Sequence, residues 1–342
     1  GKKSAQKQSE KLSGKRAKNK KRFGITFIKT VLVCILCLIA VGVVGGGLYA
    51  VKLIKQCPDI SEVNISPNGF STTVYDSAGN EIETLAASGS NRTYVTIDEI
   101  PENLQKAFVA IEDERFYKHN GIDLRGIIRA GFTGIISGGE KMQGASTITQ
   151  QLLKNNYFTT WTSEHTLKDS INRKVQEQYL AVQLEKVEDK DTILENYLNT
   201  INLGQNTLGV EAASERYFNK SVSELTLSED AAIAAITQNP SKYNPITNPK
   251  DNATRRKKVL KKMLELGYIK QAEYDEALED NLYDRIQIVN AQSESSASTS
   301  YFVDALTDEV AKDLVDQKGY TELNDFAIPS ALGENIISFE SE

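Results

Sequence analysis

Three polar clusters bring acid, hydroxyl, amide and base together at spacings that a hydrophobic core does not need. The first is Glu112-Asp113-Glu114-Arg115-Phe116-Tyr117-Lys118-His119-Asn120-Gly121. The second is Gly144-Ala145-Ser146-Thr147-Ile148-Thr149-Gln150-Gln151, with Lys154 three residues on, and the third is Arg173-Lys174-Val175-Gln176-Glu177. Glu112 follows the apolar Ile111 and has carboxylates on its C-terminal side. Partial burial and neighbouring acids are the conditions that suit a general base; a solvated acidic helix end is the plainer alternative. In the second cluster, Gly and Ala permit close backbone approach. Ser146, Thr147, Gln150 and Gln151 offer hydroxyls and amides, and a helix start would add backbone N–H groups, a set suited to phosphate oxygens or sugar hydroxyls. An N-capped helix with a polar face fits the same residues. Arg173 and Glu177 stand four apart, the spacing of an ordinary surface ion pair. Lys174 beside them adds positive charge of the kind that stabilises a departing diphosphate. Glu195 and Asn199 repeat the four-residue spacing with the same two readings.

The elements that must hold these groups read as helices. Leu104, Ala107, Phe108 and Ile111 follow helical periodicity into Glu112, with Pro101 tolerated in the first turn. Leu167, Ile171, Val175 and Tyr179 mark the apolar stripe of a second helix, and Ile193, Leu194, Tyr197 and Leu198 a third. Ser228 reads as the N-cap of an Ala-rich helix through Ile236 that Pro240 ends. Val259, Met263 and Leu266 stripe a further helix that stops at Gly267. Before these helices, Ser71-Thr72-Thr73-Val74-Tyr75 and the turn signal Ser77-Ala78-Gly79-Asn80 read as an extended stalk or small β element over 52–95. The helical region runs over 96–280. A Ser-rich linker follows at 281–300, and 301–342 resumes a helical pattern too short for another domain.

Charge is divided unevenly. Residues 1–29 carry 11 Lys/Arg and one Glu, a net +10, whereas the remainder carries 29 basic and 45 acidic residues, a net −16. Between them the 22 residues Thr30–Val51 contain no charge. At about 1.5 Å per residue such a helix covers the ~30 Å hydrocarbon core of a bilayer. The basic flank assigns 1–29 to the cytoplasm and the chain beyond Lys52 to the outside; a cleaved signal peptide is the competing reading. A basic tail set directly against a membrane span argues against nucleic acid as a partner. Cys34 and Cys37 fall inside the apolar run and Cys57 stands alone outside it. With His119 and His165 as the only histidines, a structural zinc site is not expected.

In order and wording the clusters resemble the family 51 glycosyltransferases, the peptidoglycan polymerases of class A penicillin-binding proteins and monofunctional transglycosylases. The resemblance rests on Glu112-Asp113-x-x-Phe116-x-x-His119-x-Gly121, Gly144 to Gln151 with Lys154-Asn155, and Arg173-Lys174-x-x-Glu177. It continues through Ile193-Leu194-Glu195-x-Tyr197-Leu198-Asn199, Gly204, Gly209-Val210-Glu211-x-Ala213 and Gln238-Asn239-Pro240-x-x-Tyr243-x-Pro245. It covers about residues 90–275.

What the resemblance implies is a mainly α, lysozyme-like glycosyltransferase domain preceded by one transmembrane helix, with a smaller membrane-contacting lobe. The segment Ile127, Ile128, Phe132, Ile135 and Ile136 could dip into the bilayer or lie as a plain buried helix. The substrates implied are lipid II and the growing glycan strand, at the outer face of the cytoplasmic membrane and beside other cell-wall synthesis proteins. Glu112 would be the base that deprotonates the acceptor's 4-hydroxyl, and Glu177 would organise the diphosphate site. Asp113, Phe116, His119, Gly121, Ser146, Thr147, Gln150, Gln151, Lys154, Arg173, Lys174, Glu195 and Asn199 would bind or position substrate. A divalent cation such as Mg2+ near Glu177 is compatible with the family, and no organic cofactor is implied. His165 stands where relatives often carry Arg or Lys, with Lys168 as the neighbouring cation. The chain has no Lys-Thr-Gly, and its one Ser-x-x-Lys, Ser4 to Lys7, lies in the basic tail. Residues 301–342 therefore read as the truncated start of a transpeptidase-like domain, and no transpeptidase activity is expected. Two other readings stay open: a catalytically silent membrane-anchored scaffold, and a lysozyme-like lytic enzyme.

Overall fold

The computed structural model of the chain describes residues 29–67, 72–75, 81–85, 92–136, 144–164, 166–288, 309 and 336–337. They fall into two compact units divided after Cys57. In the first, helix α1 spans Lys29–Ile54, with a mean hydropathy of 2.8 in its most apolar window. It is the one described helix long and apolar enough to cross a membrane. Its Leu32, Leu38, Val41 and Leu48 are exposed, and it continues three residues past the uncharged run.

The second unit is mainly helical: α2 (Glu102–Glu112), α3 (Leu124–Ile136), α4 (Ile148–Asn156), α5 (Leu167–Val187), α6 (Lys190–Thr200), α7 (Val210–Phe218), α8 (Leu227–Ala234), α9 (Pro249–Glu265) and α10 (Gln271–Glu279). A small sheet accompanies them. β1 (Thr72–Tyr75) pairs antiparallel with β2 (Glu81–Leu85) and parallel with β3 (Ile336–Ile337), while the turn signal 77–80 lies outside the described residues. Helix α2 packs on α8 and α9, while α4 packs on α5 and α6. The core follows the expected periodicity where the apolar phase is unambiguous. Ile193, Leu194, Tyr197 and Leu198 of α6 are buried, as are Leu104, Ala107 and Phe108 of α2, whereas Ile111 of the expected α2 stripe lines a cleft and Val109 and Ala110 are buried in its stead.

Three further local expectations change. The stripe on α5 is not its buried face: Leu167 is 85% exposed and Ile171 58% exposed. Burial falls instead on Glu177, Leu180, Ala181 and Leu184, an equally good helical spacing that begins with a carboxylate. The cap of α8 is Thr226, not Ser228. Thr226 and Glu229 form a reciprocal capping box, while Ser228 is buried in the first turn and accepts a hydrogen bond from Arg256 Nη1 at 2.7 Å. Finally, the stretch after α10 packs on the body before the Ser-rich run begins. Leu282 is buried, and Arg285 pairs with Asp280 at 2.7 Å and Glu229 at 3.1 Å. The Ser-rich run 291–300 lies outside the described residues, as does most of 301–342.

Candidate active site

Helix α2 ends at Glu112, so the carboxylate projects from a helix whose other face is anchored by Leu104 and Phe108. Its side chain is 14% exposed. Thr237 Oγ1, in the turn after α8, donates to Oε1 at 2.5 Å, and Gln151 Nε2 of α4 donates to Oε2 at 3.1 Å. Arg255 Nη2 of α9 stands 3.5 Å from Oε1. Three elements therefore converge on one carboxylate at the wall of a cleft of about 840 Å³, which Gly144, Ser146, Gln151 and Lys154 also line. The rest of the lining is strongly cationic: Arg255, Lys258, Lys261 and Lys262 lie on α9, and Arg129 on α3. Glu114 is held there by Arg129 and, at 3.1 Å, by Lys262.

Lys154 links this cleft to the third cluster. Burial holds its ammonium below the usual lysine range; the Glu177 and Glu112 carboxylates oppose that shift, and Lys174 and Arg173 add to it. Its Nζ lies 4.4 Å from the centre of the Trp161 ring. Glu177 is 0% exposed and is gripped by Arg173, and by Lys174 at 2.6 Å. The four-residue spacing of Arg173 and Glu177 is thus a buried ion pair, not a solvated one. With each oxygen of Glu177 already held by a cation, a third positive charge would face repulsion. A Mg2+ ion there would need further oxygen donors, such as substrate phosphates and waters. Among the described residues no group of three or more His, Cys, Asp or Glu is placed to hold a metal.

Several residues expected to face substrate are instead the frame beneath it. Asp113 is buried, takes His119 Nε2 at 2.9 Å, and accepts the Ile148 N–H that opens α4 at 3.1 Å. Thr147 caps α4 by accepting from Gln150 N–H at 3.2 Å, and its hydroxyl donates to the Gly121 carbonyl at 2.8 Å. Gln150 Nε2 donates to the same carbonyl at 3.3 Å. These caps occupy the Ile148 and Gln150 N–H groups of the α4 start within the protein itself. Gly121 has φ +82°, and a Cβ there would lie 2.4 Å from the Ala181 carbonyl oxygen of α5. Phe116 is buried with Lys190 Nζ 4.3 Å from its ring centre.

Glu195 and Asn199 are likewise structural in their contacts. Glu195 accepts from Tyr94 Oη and from Ile97 N–H at 2.6 Å. Asn199 is buried, accepting from Val95 N–H at 3.0 Å and donating to its carbonyl at 2.8 Å. Asn199→Ala leaves two buried backbone groups unpaired, an expected loss of about 2–3 kcal/mol in denaturant unfolding. Ligand affinity of the folded fraction should stay unchanged.

Sequence reading missed Thr237, Arg255, Lys258 and Lys262. The available signal was the spacing 255, 258, 262, which sets three cations on one face of α9. His165 lies outside the described residues, as do the side chains of Phe132, Ile135 and Ile136; Lys168 is exposed.

A model of the Transglycosylase family matches residues 78–264 of the chain. Penicillin-binding protein 1A of Clostridium perfringens (strain 13 / Type A) is 38% identical over 304 residues, 86% of this chain and 44% of that protein. Penicillin-binding protein 1A of Clostridium novyi (strain NT) is 44% identical over 249 residues, 70% of this chain and 28% of that protein. Penicillin-binding protein 1A/1B of Bacillus subtilis (strain 168) is 36% identical over 310 residues, 90% of this chain and 32% of that protein. The chain spans less than half the length of these curated relatives.

Proposed function

The chain belongs to the transglycosylase family, the family 51 glycosyltransferase domain of class A penicillin-binding proteins, and from that premise we propose that it polymerises lipid II into glycan strands. The observation that carries this reading is Glu112 and Lys154 in the lining of one cleft, with Lys154 also within electrostatic reach of the Arg173–Lys174–Glu177 cluster. Glu112 removes the proton of the acceptor's 4-hydroxyl as that oxygen attacks the anomeric carbon of the lipid-linked donor. The bond to the diphosphate breaks on the opposite face, which inverts the centre. Lys154, Arg173 and Lys174 offset the charge that the diphosphate carries away. Gln151 and Thr237 aim the Glu112 carboxylate, and Ser146 offers a hydroxyl from the cleft lining. No step is routed through a metal. Helix α1 anchors the domain, with 1–29 in the cytoplasm and the cleft outside.

Labelled lipid II incubated with the detergent-solubilised chain should yield glycan strands, and moenomycin should suppress them. A folded chain that makes no polymer across pH and with added Mg2+ sinks the proposal. Release of short products from finished glycan would point to the lytic reading instead.

The pH profile offers a separate check. Lys154 must be protonated to meet the diphosphate, and burial lets its proton leave at lower pH than an ordinary lysine's. Activity should therefore fall on the alkaline side before ~10.4, the range of a free lysine. Lys154→Arg should carry the alkaline limb to higher pH, which a pH–rate series would read directly.

A further inference from the structure

The segment between α4 and α5 touches two cations of the proposed diphosphate site, and nothing in the chemistry above uses it. Its 3-10 turn, Thr159–Ser163, carries Trp161, and Glu164 follows at once. Trp161 is 37% exposed and lies over Lys154. The Glu164 carboxylate takes Arg173 Nε at 2.5 Å and Nη2 at 3.1 Å, and Ser170 Oγ donates to it at 2.8 Å. That paired edge of a guanidinium is the one that grips carboxylates and phosphates bidentately. Arg173 directs its remaining nitrogen, Nη1, to Glu177.

We propose that residues 159–164 form a displaceable strap, in which Glu164 fills the anion-binding edge of Arg173 and Trp161 covers Lys154 until a diphosphate takes both cations. The proposal rests on reading Lys154, Arg173 and Lys174 as the diphosphate site. Glu164 is an internal stand-in: it presents two oxygens in the fork geometry that a phosphate would use. Arg173 holds this carboxyl below the usual glutamate range, so it remains a charged competitor at neutral pH. The fraction of molecules with the strap in place lowers apparent affinity by the same fraction. Both residues act through Arg173 and Lys154 and are positioning residues.

Trp161 is the only tryptophan in the chain and so reports its own displacement. The experiment titrates inorganic pyrophosphate at fixed ionic strength into the whole chain, following Trp161 emission and heat in parallel. Wild type should bind with a change in Trp161 emission, and Glu164→Gln should bind about tenfold tighter. A damaged fold loses affinity, so tightening cannot come from misfolding. Ser170→Ala, which removes the hydroxyl steadying Glu164, should shift affinity in the same direction by a smaller factor. Wild-type binding with unchanged or weaker affinity in Glu164→Gln overturns the strap and leaves the diphosphate site standing. Tighter binding without any Trp161 response is a bare charge effect and also overturns it. If neither protein binds pyrophosphate, the diphosphate site fails and the strap with it.

Discussion

Glu112→Gln is expected to lower glycan polymerisation by about a thousandfold, within the range lost when a general base is removed. Gln keeps the size of Glu112 and retains one oxygen for Thr237 or Gln151, so the wall of the cleft should persist. What it lacks is a site for the acceptor's proton. The loss should therefore appear in kcat and not in KM, since no substrate-binding charge has been deleted. The rate of lipid II incorporation, measured over a substrate range, separates the two. A variant retaining a tenth or more of wild-type kcat would show that another group takes the proton. Thr237→Ala provides a gradation: it frees one Glu112 oxygen and should cost far less than the loss of the carboxylate.

Glu177→Ala should do its damage through the fold as well as the reaction. The carboxylate is 0% exposed and holds two cations, Arg173 and Lys174. Breaking a buried ion pair by removing one partner typically costs about 3–5 kcal/mol. Here Arg173 keeps Glu164, and Lys174 is open enough to rehydrate, so about 2–3 kcal/mol is the expected loss. Thermal unfolding should show a drop of several degrees. Activity should fall further than stability accounts for, because freed cations would no longer be held at the spacing a diphosphate needs. Glu177→Gln, which keeps the shape and loses the charge, should fall between the two. An alanine variant with unchanged melting and full activity would remove Glu177 from the site altogether.

Much of this was legible in sequence because helical periodicity and side-chain chemistry agreed. On α6 the apolar residues all fall in one phase, so its buried face follows directly; α2 is apolar without a break from Ala107 to Ile111, and there Val109 and Ala110 are buried while Ile111 lines the cleft beside Glu112. On α5 periodicity and chemistry disagreed. Its buried face begins with Glu177, which a hydrophobic pattern counts as polar, so the stripe from Leu167 to Tyr179 looked like the better interior. The same blindness hid α9's role. A run such as Arg255-Arg256-Lys257-Lys258 is the usual mark of a solvated helix. Only the packing of α9 beside α2 turns Arg255 toward Glu112. The frame residues failed in the opposite sense. Asp113, His119, Thr147 and Gln150 carry reactive side chains, and their polarity is spent on one another and on backbone groups that sequence spacing cannot locate. Thr237 gave no signal at all, since a single Thr in a turn has no pattern.

Gly121 sets how the cleft answers a ligand. Its bare Cα lets the chain press against the Ala181 carbonyl of α5, while its own carbonyl holds Thr147 and Gln150 at the start of α4. The helices that carry Lys154 and Glu177 already pack on one another, and Gly121 adds a backbone bridge between them. Neither can slide or tilt without breaking two hydrogen bonds and opening a close-packed crossing. Adjustment to a ligand is left to side chains and short connecting segments.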